Sequence, residues 1–357
     1  MTTDVIVNGR FLTRNGTGVD RVAGELLRAW CPTYGRNHSI RVVTPPGYAV
    51  EPDWAAGIRI EHVGGFGGHV WEQVDLPRHC GPGVLLSLCN AGPIARKAQL
   101  IMLHDAGVMA NPSAYRRAFR LWYTALFSCL ARRARVVCTV SKFSAAELNR
   151  FVGARLDSLH VIYPSGEHIV RAPPDTGVNA RLGLLGRRYV LAVGSLVPNK
   201  NLRGVLAAFK LLGEPDIRIV AVGGSNNRIF PEFELEGNTL VRTGYVADAE
   251  LRALYEGAEC LVFPSFYEGF GLPPLEAMHC GCPVIVANRA AMPEICGDAA
   301  LYCDPSDPQD IARSIRRVLT STSLREDLQE AGYARARMFT WLRATAQLEE
   351  LIERCAV

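Results

Sequence analysis

Residues 263–294 read FPSFYEGFGLPPLEAMHCGCPVIVANRAAMPE, and this stretch decides the fold. The short apolar run Cys260–Phe263 ends in Pro264-Ser265, the pattern of a buried strand that runs into a loop. In that loop Glu268 and Glu276 enclose Gly-Phe-Gly-Leu-Pro-Pro-Leu. Gly269 and Gly271 can take backbone angles closed to other residues, which lets main-chain N–H groups approach a ligand. Pro273 and Pro274 suit the first turn of a helix, where a missing N–H costs nothing. Glu268 is therefore expected in the loop and Glu276 about one turn inside the helix.

A helix N-terminus with free N–H groups attracts anions, phosphate above all. Carboxylates on both sides of such a site make sense if they face neutral hydroxyls, with the charge between them. That is the pattern of a sugar diphosphate. The stretch resembles the E-x7-E region of the retaining nucleotide-sugar glycosyltransferases of family 4 (glycosyl transferases group 1), which share the GT-B architecture. The resemblance implies that Glu268 lies by the donor sugar, that Glu276 holds the ribose hydroxyls, and that Gly269, Phe270, Gly271 and Leu272 line the donor. It implies an α/β protein of two Rossmann-like, doubly wound domains facing a cleft. Domains are expected over 1–171 and 187–339, joined by a linker over 172–186. A last helix, 340–357, would cross back to the first, acceptor-side domain.

The bulk numbers agree with a globular chain of two domains: 357 residues, 48% hydrophobic and 21% charged. No apolar run reaches the ~20 residues of a membrane-spanning helix, and the N-terminus lacks the pattern of a signal peptide. Eleven scattered cysteines without a C-x-x-C pair read as reduced, buried thiols of a cytoplasmic protein. Residues 1–180 carry 20 Lys+Arg against 13 Asp+Glu, and residues 181–357 carry 19 against 22. The first half is thus +7 and the second −3, which points to an anionic partner for the first half. The charge is dispersed and no nucleic-acid motif is present, so nucleic acid is not an expected partner.

Candidate strands in the first half are Val5–Val7, Arg41–Thr44, Ile58–Val63, Val84–Leu88, Leu100–His104, Val136–Val140 and Leu159–Tyr163. Interleaved with helical stretches, they predict a mostly parallel sheet with ligands at the strands' carboxyl ends. Thr17-Gly18-Val19-Asp20-Arg21 precedes a helix over 22–30. It resembles the family's first Gly-rich loop, with Thr-Gly where many members have Gly-Gly. That places Gly18 near the donor diphosphate and Arg21 on the acceptor side. Asn90 follows a strand and reads as a turn residue or an acceptor-side contact. His104-Asp105 resembles the family's His-Asp step, which implies that His104 contacts a donor-sugar hydroxyl. Asp105 is expected to orient the loop or the imidazole.

Residues 113–135 carry an apolar face flanked by Arg116, Arg117, Arg120, Arg132 and Arg133. They read as a core helix with solvated arginines, or as a helix at an anionic membrane surface. The latter would make the protein peripheral at the inner face of the plasma membrane. Ser144 and Glu147 match a capping box. VIYPSGEH, 161–168, resembles the family's V-x-P-N-G-V-D, with Ser165 for Asn and Glu167-His168 for Val-Asp.

In the second half, Tyr189–Val193 runs into Gly194-Ser195-Leu196-Val197-Pro198-Asn199-Lys200-Asn201, then a helix over Leu202–Leu212. Lys200, one of only four lysines, adds a mobile cation ahead of a helix N-terminus. The segment resembles the family's G-R-x-x-x-x-K, whose Arg and Lys both meet the donor diphosphate. Here Ser195 stands at the Arg position. Further strands are expected over Ile217–Val222, leading to Gly223-Gly224-Ser225, over Thr239–Arg242 and over Ala300–Cys303. Gly244-Tyr245-Val246 resembles the step that packs beside the nucleobase.

Together these readings imply a metal-independent hexosyltransferase acting with retention in polysaccharide biosynthesis. Glu268, His104 and Lys200 would be catalytic, and the sequence contains no D-x-D metal motif. The donor would be a nucleotide-diphosphate sugar, GDP-mannose ahead of dTDP-rhamnose or a UDP-hexose. The acceptor would be a glycan or lipid-linked oligosaccharide, and no cofactor is expected. Two alternatives stay open: a nucleotide-sugar epimerase of the same fold, and a non-catalytic nucleotide-sugar-binding protein.

Overall fold

In the computed structural model, residues 3–14, 16–47, 51–195, 197–224 and 239–356 are described. Leu196 and Ser225, both quoted above, lie outside them. The chain divides into two compact units, one of Met1–Pro164 with Trp341–Val357 and one of Ser165–Thr340.

The first unit holds β1 (Asp4–Asn8), β2 (Ser39–Thr44), β3 (Arg59–His62), β4 (Val84–Ser87), β5 (Gln99–Met102), β6 (Val136–Thr139) and β7 (Leu159–Val161). They form one parallel sheet in the order β3-β2-β1-β4-β5-β6-β7. Each expected strand is present. β4, β5 and β6 are buried along their whole length, as parallel strands covered on both faces must be. The final helix, Trp341–Ala356, belongs to this unit. Its Glu349 accepts from Trp30 Nε1 at 2.9 Å and pairs with His38 at 2.8 Å.

The second unit holds β8 (Arg188–Val193), β9 (Ile217–Val222), β10 (Leu240–Gly244), β11 (Cys260–Phe263), β12 (Val284–Ala287) and β13 (Leu301–Cys303). Its parallel order is β10-β9-β8-β11-β12-β13. Counted within the unit this is 3-2-1-4-5-6, the doubly wound arrangement. Helices Leu202–Leu212 and Pro308–Thr320 present Val205, Leu206, Phe209, Ile311 and Ile315 to one face of the sheet.

Four expectations are corrected. The helix of 113–135 begins only at Arg117, because Pro112–Ala114 forms a 3-10 turn and Arg116 is extended. The cap at 144 lies three residues earlier. β6 stops at Thr139, so the chain turns at Ser141, whose Oγ accepts from Ser144 N–H at 2.9 Å. His104 stands two residues past the end of β5 rather than in the strand. The first domain ends before 171, and 172–186 is no free linker. Val178 and Leu184 are buried, and Arg252 donates to the carbonyls of Val170 and Ala172 at 3.0 and 2.8 Å. Those contacts tie residues 165–186 into the second unit.

Candidate active site

In the second unit the chain leaves the neighbouring strands β8 and β11 toward opposite sides, which opens a crevice at their carboxyl ends. The loop after β8 carries Gly194, Ser195 and Lys200, and the loop after β11 carries Glu268. Asn201 joins the two loops. It takes φ +58°, caps helix Leu202–Leu212 through Gly204 N–H, and donates to the carbonyls of Pro264 (3.2 Å) and Pro305 (2.6 Å). Lys200 Nζ thereby reaches Glu268 Oε1 in a direct, partly buried ion pair, over the ring of Phe263. The lysine stem runs past Gly194, and Ser195 lines the same recess.

The loop from Glu268 is held from behind. Its carbonyl accepts from Ala291 N–H at 3.3 Å, and Phe270 is buried edge-on against Phe339. Gly271 has φ +95°, and a Cβ there would lie 2.4 Å from Met292 Cε, so only glycine fits without adjustment. Helix Leu272–His279 starts next, with both prolines in its first turn as expected. Of its opening residues Leu272 supplies a main-chain N–H at the crevice end of the unit, and the two prolines supply none.

Glu276 lies in that helix and is only 6% exposed. Oε1 accepts from His168 Nε2 at 3.0 Å and Oε2 from the Tyr255 hydroxyl at 2.9 Å. Burial and the adjacent carboxylate push the Tyr255 phenol well above its ordinary range, so it remains a donor. On the other side of β8, Gly223 N–H donates to the Gly244 carbonyl at 2.8 Å. Gly244 is left-handed, Val246 is half-buried, and the ring of Tyr245 stands 77% exposed past the end of β10.

In the first unit the sheet order reverses between β1 and β4, and a second polar cluster forms there. Gly18 opens helix Gly18–Thr33, capped by a Thr17–Asp20 capping box, and Arg21 lies in its first turn. Asn90, at φ +65°, accepts the His104 main-chain N–H at 2.6 Å, which gives its Oδ1 a structural duty. The His104 imidazole donates from Nε2 to the Leu88 carbonyl at 2.8 Å. Burial drives its pKa down to about 4, so the ring is neutral. Asp105 accepts from Gly107 N–H at 2.7 Å, so it orients the loop.

The sequence reading passed over several groups here. Glu72, almost wholly buried, pairs directly with Arg10, bonds Asn8 Nδ2 at 3.2 Å and meets His69 at 3.1 Å. His69 reaches the Tyr123 hydroxyl at 3.2 Å, and Arg14 pairs with Asp20. Asn201, His168 and Tyr255 were also missed as site residues. Asn before an apolar helical run is an N-cap signal that marks Asn201; nothing local marks Tyr255.

Residues 180–335 match the family model described as glycosyl transferases group 1. This domain belongs to that family. The glycosyl transferases group 1 domain thus occupies most of the second unit. O-antigen chain mannosyltransferase B of Escherichia coli is 36% identical over 225 residues, covering 60% of this chain and 59% of the relative's length. The chain therefore spans less than two thirds of that relative. Among solved structures, sucrose-phosphate synthase from Thermosynechococcus elongatus superposes with a TM-score of 0.78 at 20% identity, covering 98% of each chain. Anabaena HepE in complex with UDP-glucose gives 0.75 at 18%, covering 98% of this chain and 99% of the other. At that identity the likeness shows the fold alone.

Proposed function

We propose that the protein is a glycosyltransferase that moves a mannosyl residue, with retention, from GDP-mannose to a sugar hydroxyl of a growing surface polysaccharide. The observation that carries this is the Lys200–Glu268 pair at the carboxyl ends of β8 and β11, ahead of helix Leu272–His279. Without ligand the ammonium and carboxylate neutralise each other. With donor bound, Lys200 and the Gly269–Leu272 amides would meet the diphosphate, and Glu268 a hydroxyl of the sugar. Such preorganised donors stabilise the charge that builds on a leaving phosphate, and they do so without a metal. Neutral His104 suits a hydrogen bond to a hydroxyl rather than a charge contact. Tyr245 and Val246 would flank the base, Gly18 would lie near the diphosphate, and Arg21, Asn90 and Asp105 of the first unit would serve the acceptor. GDP-mannose is preferred because the E. coli relative is a mannosyltransferase.

The test is incubation with GDP-mannose and a mannoside acceptor in EDTA. Product mass should rise by one hexose, and NMR should show an α-linkage. Glu268→Gln should cut turnover far more than donor binding. Free mannose alone, or no reaction with any nucleotide sugar, would refute the reading.

Contact with an anionic lipid surface is a second part of the proposal. Helix Arg117–Arg133 buries Leu126, Phe127 and Leu130, whereas Tyr115, Phe119, Leu121 (67%) and Trp122 lie exposed beside Arg116, Arg117 and Arg120. No Asp or Glu occurs between Asp105 and Glu147. Flotation with anionic but not neutral liposomes, abolished by Arg116/Arg117/Arg120→Glu, is the expected result. Equal flotation of parent and variant would refute it.

A further inference from the structure

We propose that His168 and Tyr255 are positioning residues for the nucleoside end of the donor: they clamp both oxygens of Glu276, and so set how tightly the site discriminates for ribose hydroxyls. This rests on the glycosyltransferase reading above, in which Glu276 meets those hydroxyls.

The cluster is built for a carboxylate. His168 is 3% exposed, Tyr255 is fully buried, and the two donate to different oxygens of Glu276, at 3.0 and 2.9 Å. A buried carboxylate is costly unless such donors meet it. If packing alone were selected at position 276, apolar residues would serve as well or better. A carboxylate oxygen can accept two hydrogen bonds, so one donor on each still leaves acceptor capacity for a hydroxyl. What the clamp removes is rotation of the carboxylate.

The segment that supplies His168 is itself pinned. A Cβ on Gly166 would lie 2.6 Å from Glu276 N, so the main chain of 165–168 rests directly on helix Leu272–His279. Ser165 Oγ donates to the Phe339 carbonyl at 2.8 Å and accepts from Glu167 N–H at 3.1 Å, and Phe339 packs on Phe270 of the Glu268 loop. The imidazole is therefore held by the same framework that holds the diphosphate loop. The second donor, Tyr255, comes from helix Asp248–Gly257, so the clamp closes from two separate elements. Tyr255 stays protonated, as a donor must, because burial and Glu276 both oppose the phenolate.

Isothermal titration of the parent with GDP, UDP and ADP selects the diphosphate bound best, and that one is compared with its 2′,3′-dideoxy counterpart. The parent should prefer the ribose form about tenfold or more, the scale of a hydrogen bond to a charged group. His168→Phe and Tyr255→Phe should each erase most of that preference while changing the dideoxy affinity by no more than about twofold. His168→Gln, which keeps an N–H near the position of Nε2, should restore most of it. Tyr255→Phe removes a single oxygen and keeps the ring, so it carries the test if His168→Phe does not fold. Equal weakening of both ligands would overturn the proposal, leaving the cluster a purely structural one, and so would an unchanged preference. A parent that binds no diphosphate would instead strike at the glycosyltransferase reading, and the clamp would fall with it.

Discussion

Replacing Lys200 with methionine keeps the length of the stem and deletes the ammonium. Two effects follow, of different size. In the ligand-free protein Glu268 loses the partner on Oε1. The pair is partly open to solvent, with side-chain exposures of 23% and 11%, so water screens the loss. About 1 kcal/mol of stability is expected to go, which lowers Tm by roughly 2–4 °C for a unit of this size. On the proposed function, the leaving diphosphate would lose a preorganised cation. That costs about 10²–10³ in kcat, or roughly 3–4 kcal/mol of barrier. The variant should therefore be folded and almost inactive. Steady-state transfer from GDP-mannose, followed by mass, gives kcat; urea titration gives stability. Glu268→Gln, added to Lys200→Met, removes the stranded charge and should recover about 1 kcal/mol relative to additivity, as contacting residues do. Turnover within about threefold of the parent, or strictly additive stabilities, would refute the argument.

Gly271→Ala should destabilise the second unit by about 1–2 kcal/mol, since alanine pays for φ +95° even after the flexible end of Met292 moves aside; a melting scan checks it. Asn201→Ala should cost about 3 kcal/mol in chemical denaturation, because the cap and the donors to the Pro264 and Pro305 carbonyls go together. Acid should destabilise the first unit through His104. Its pKa falls from 6.5 in the unfolded chain to about 4 in the fold, so the unfolded state binds more protons between those values. Stability is thus complete above about pH 6.5 and declines as pH drops toward 4, by up to roughly 3 kcal/mol. His104→Gln should flatten that slope in unfolding followed between pH 7 and 4. His279, likewise near 4 through burial, adds a slope of the same sign to the second unit, so the comparison must resolve the two transitions.

The strands were legible because a parallel strand buried on both faces must be written as a continuous apolar run, and Val84–Ser87 and Cys260–Phe263 are such runs. Helix Leu202–Leu212 was legible from its 3.6-residue period down to its last residue. Ends were less so. The Ser144-x-x-Glu147 pattern is a valid cap in isolation, but β6 delivers the chain into the helix at Ser141, and strand geometry overrides the local signal.

Local sequence by itself determined the loop of the site: Gly-Phe-Gly opens the backbone, two prolines start a helix, and Glu268, Glu276 and Lys200 stand at fixed distances along the chain. Residues near in sequence constrain one another through backbone angles, and those are written in residue types. Only the tertiary structure decided which side chains meet. It set Lys200 on Glu268 across 68 residues, brought His168 to Glu276 across 108, and buried Glu72 beneath Arg10 across 62. Such pairings depend on which strands lie side by side and on which atoms are left to satisfy a buried charge, and no spacing within a single segment encodes either.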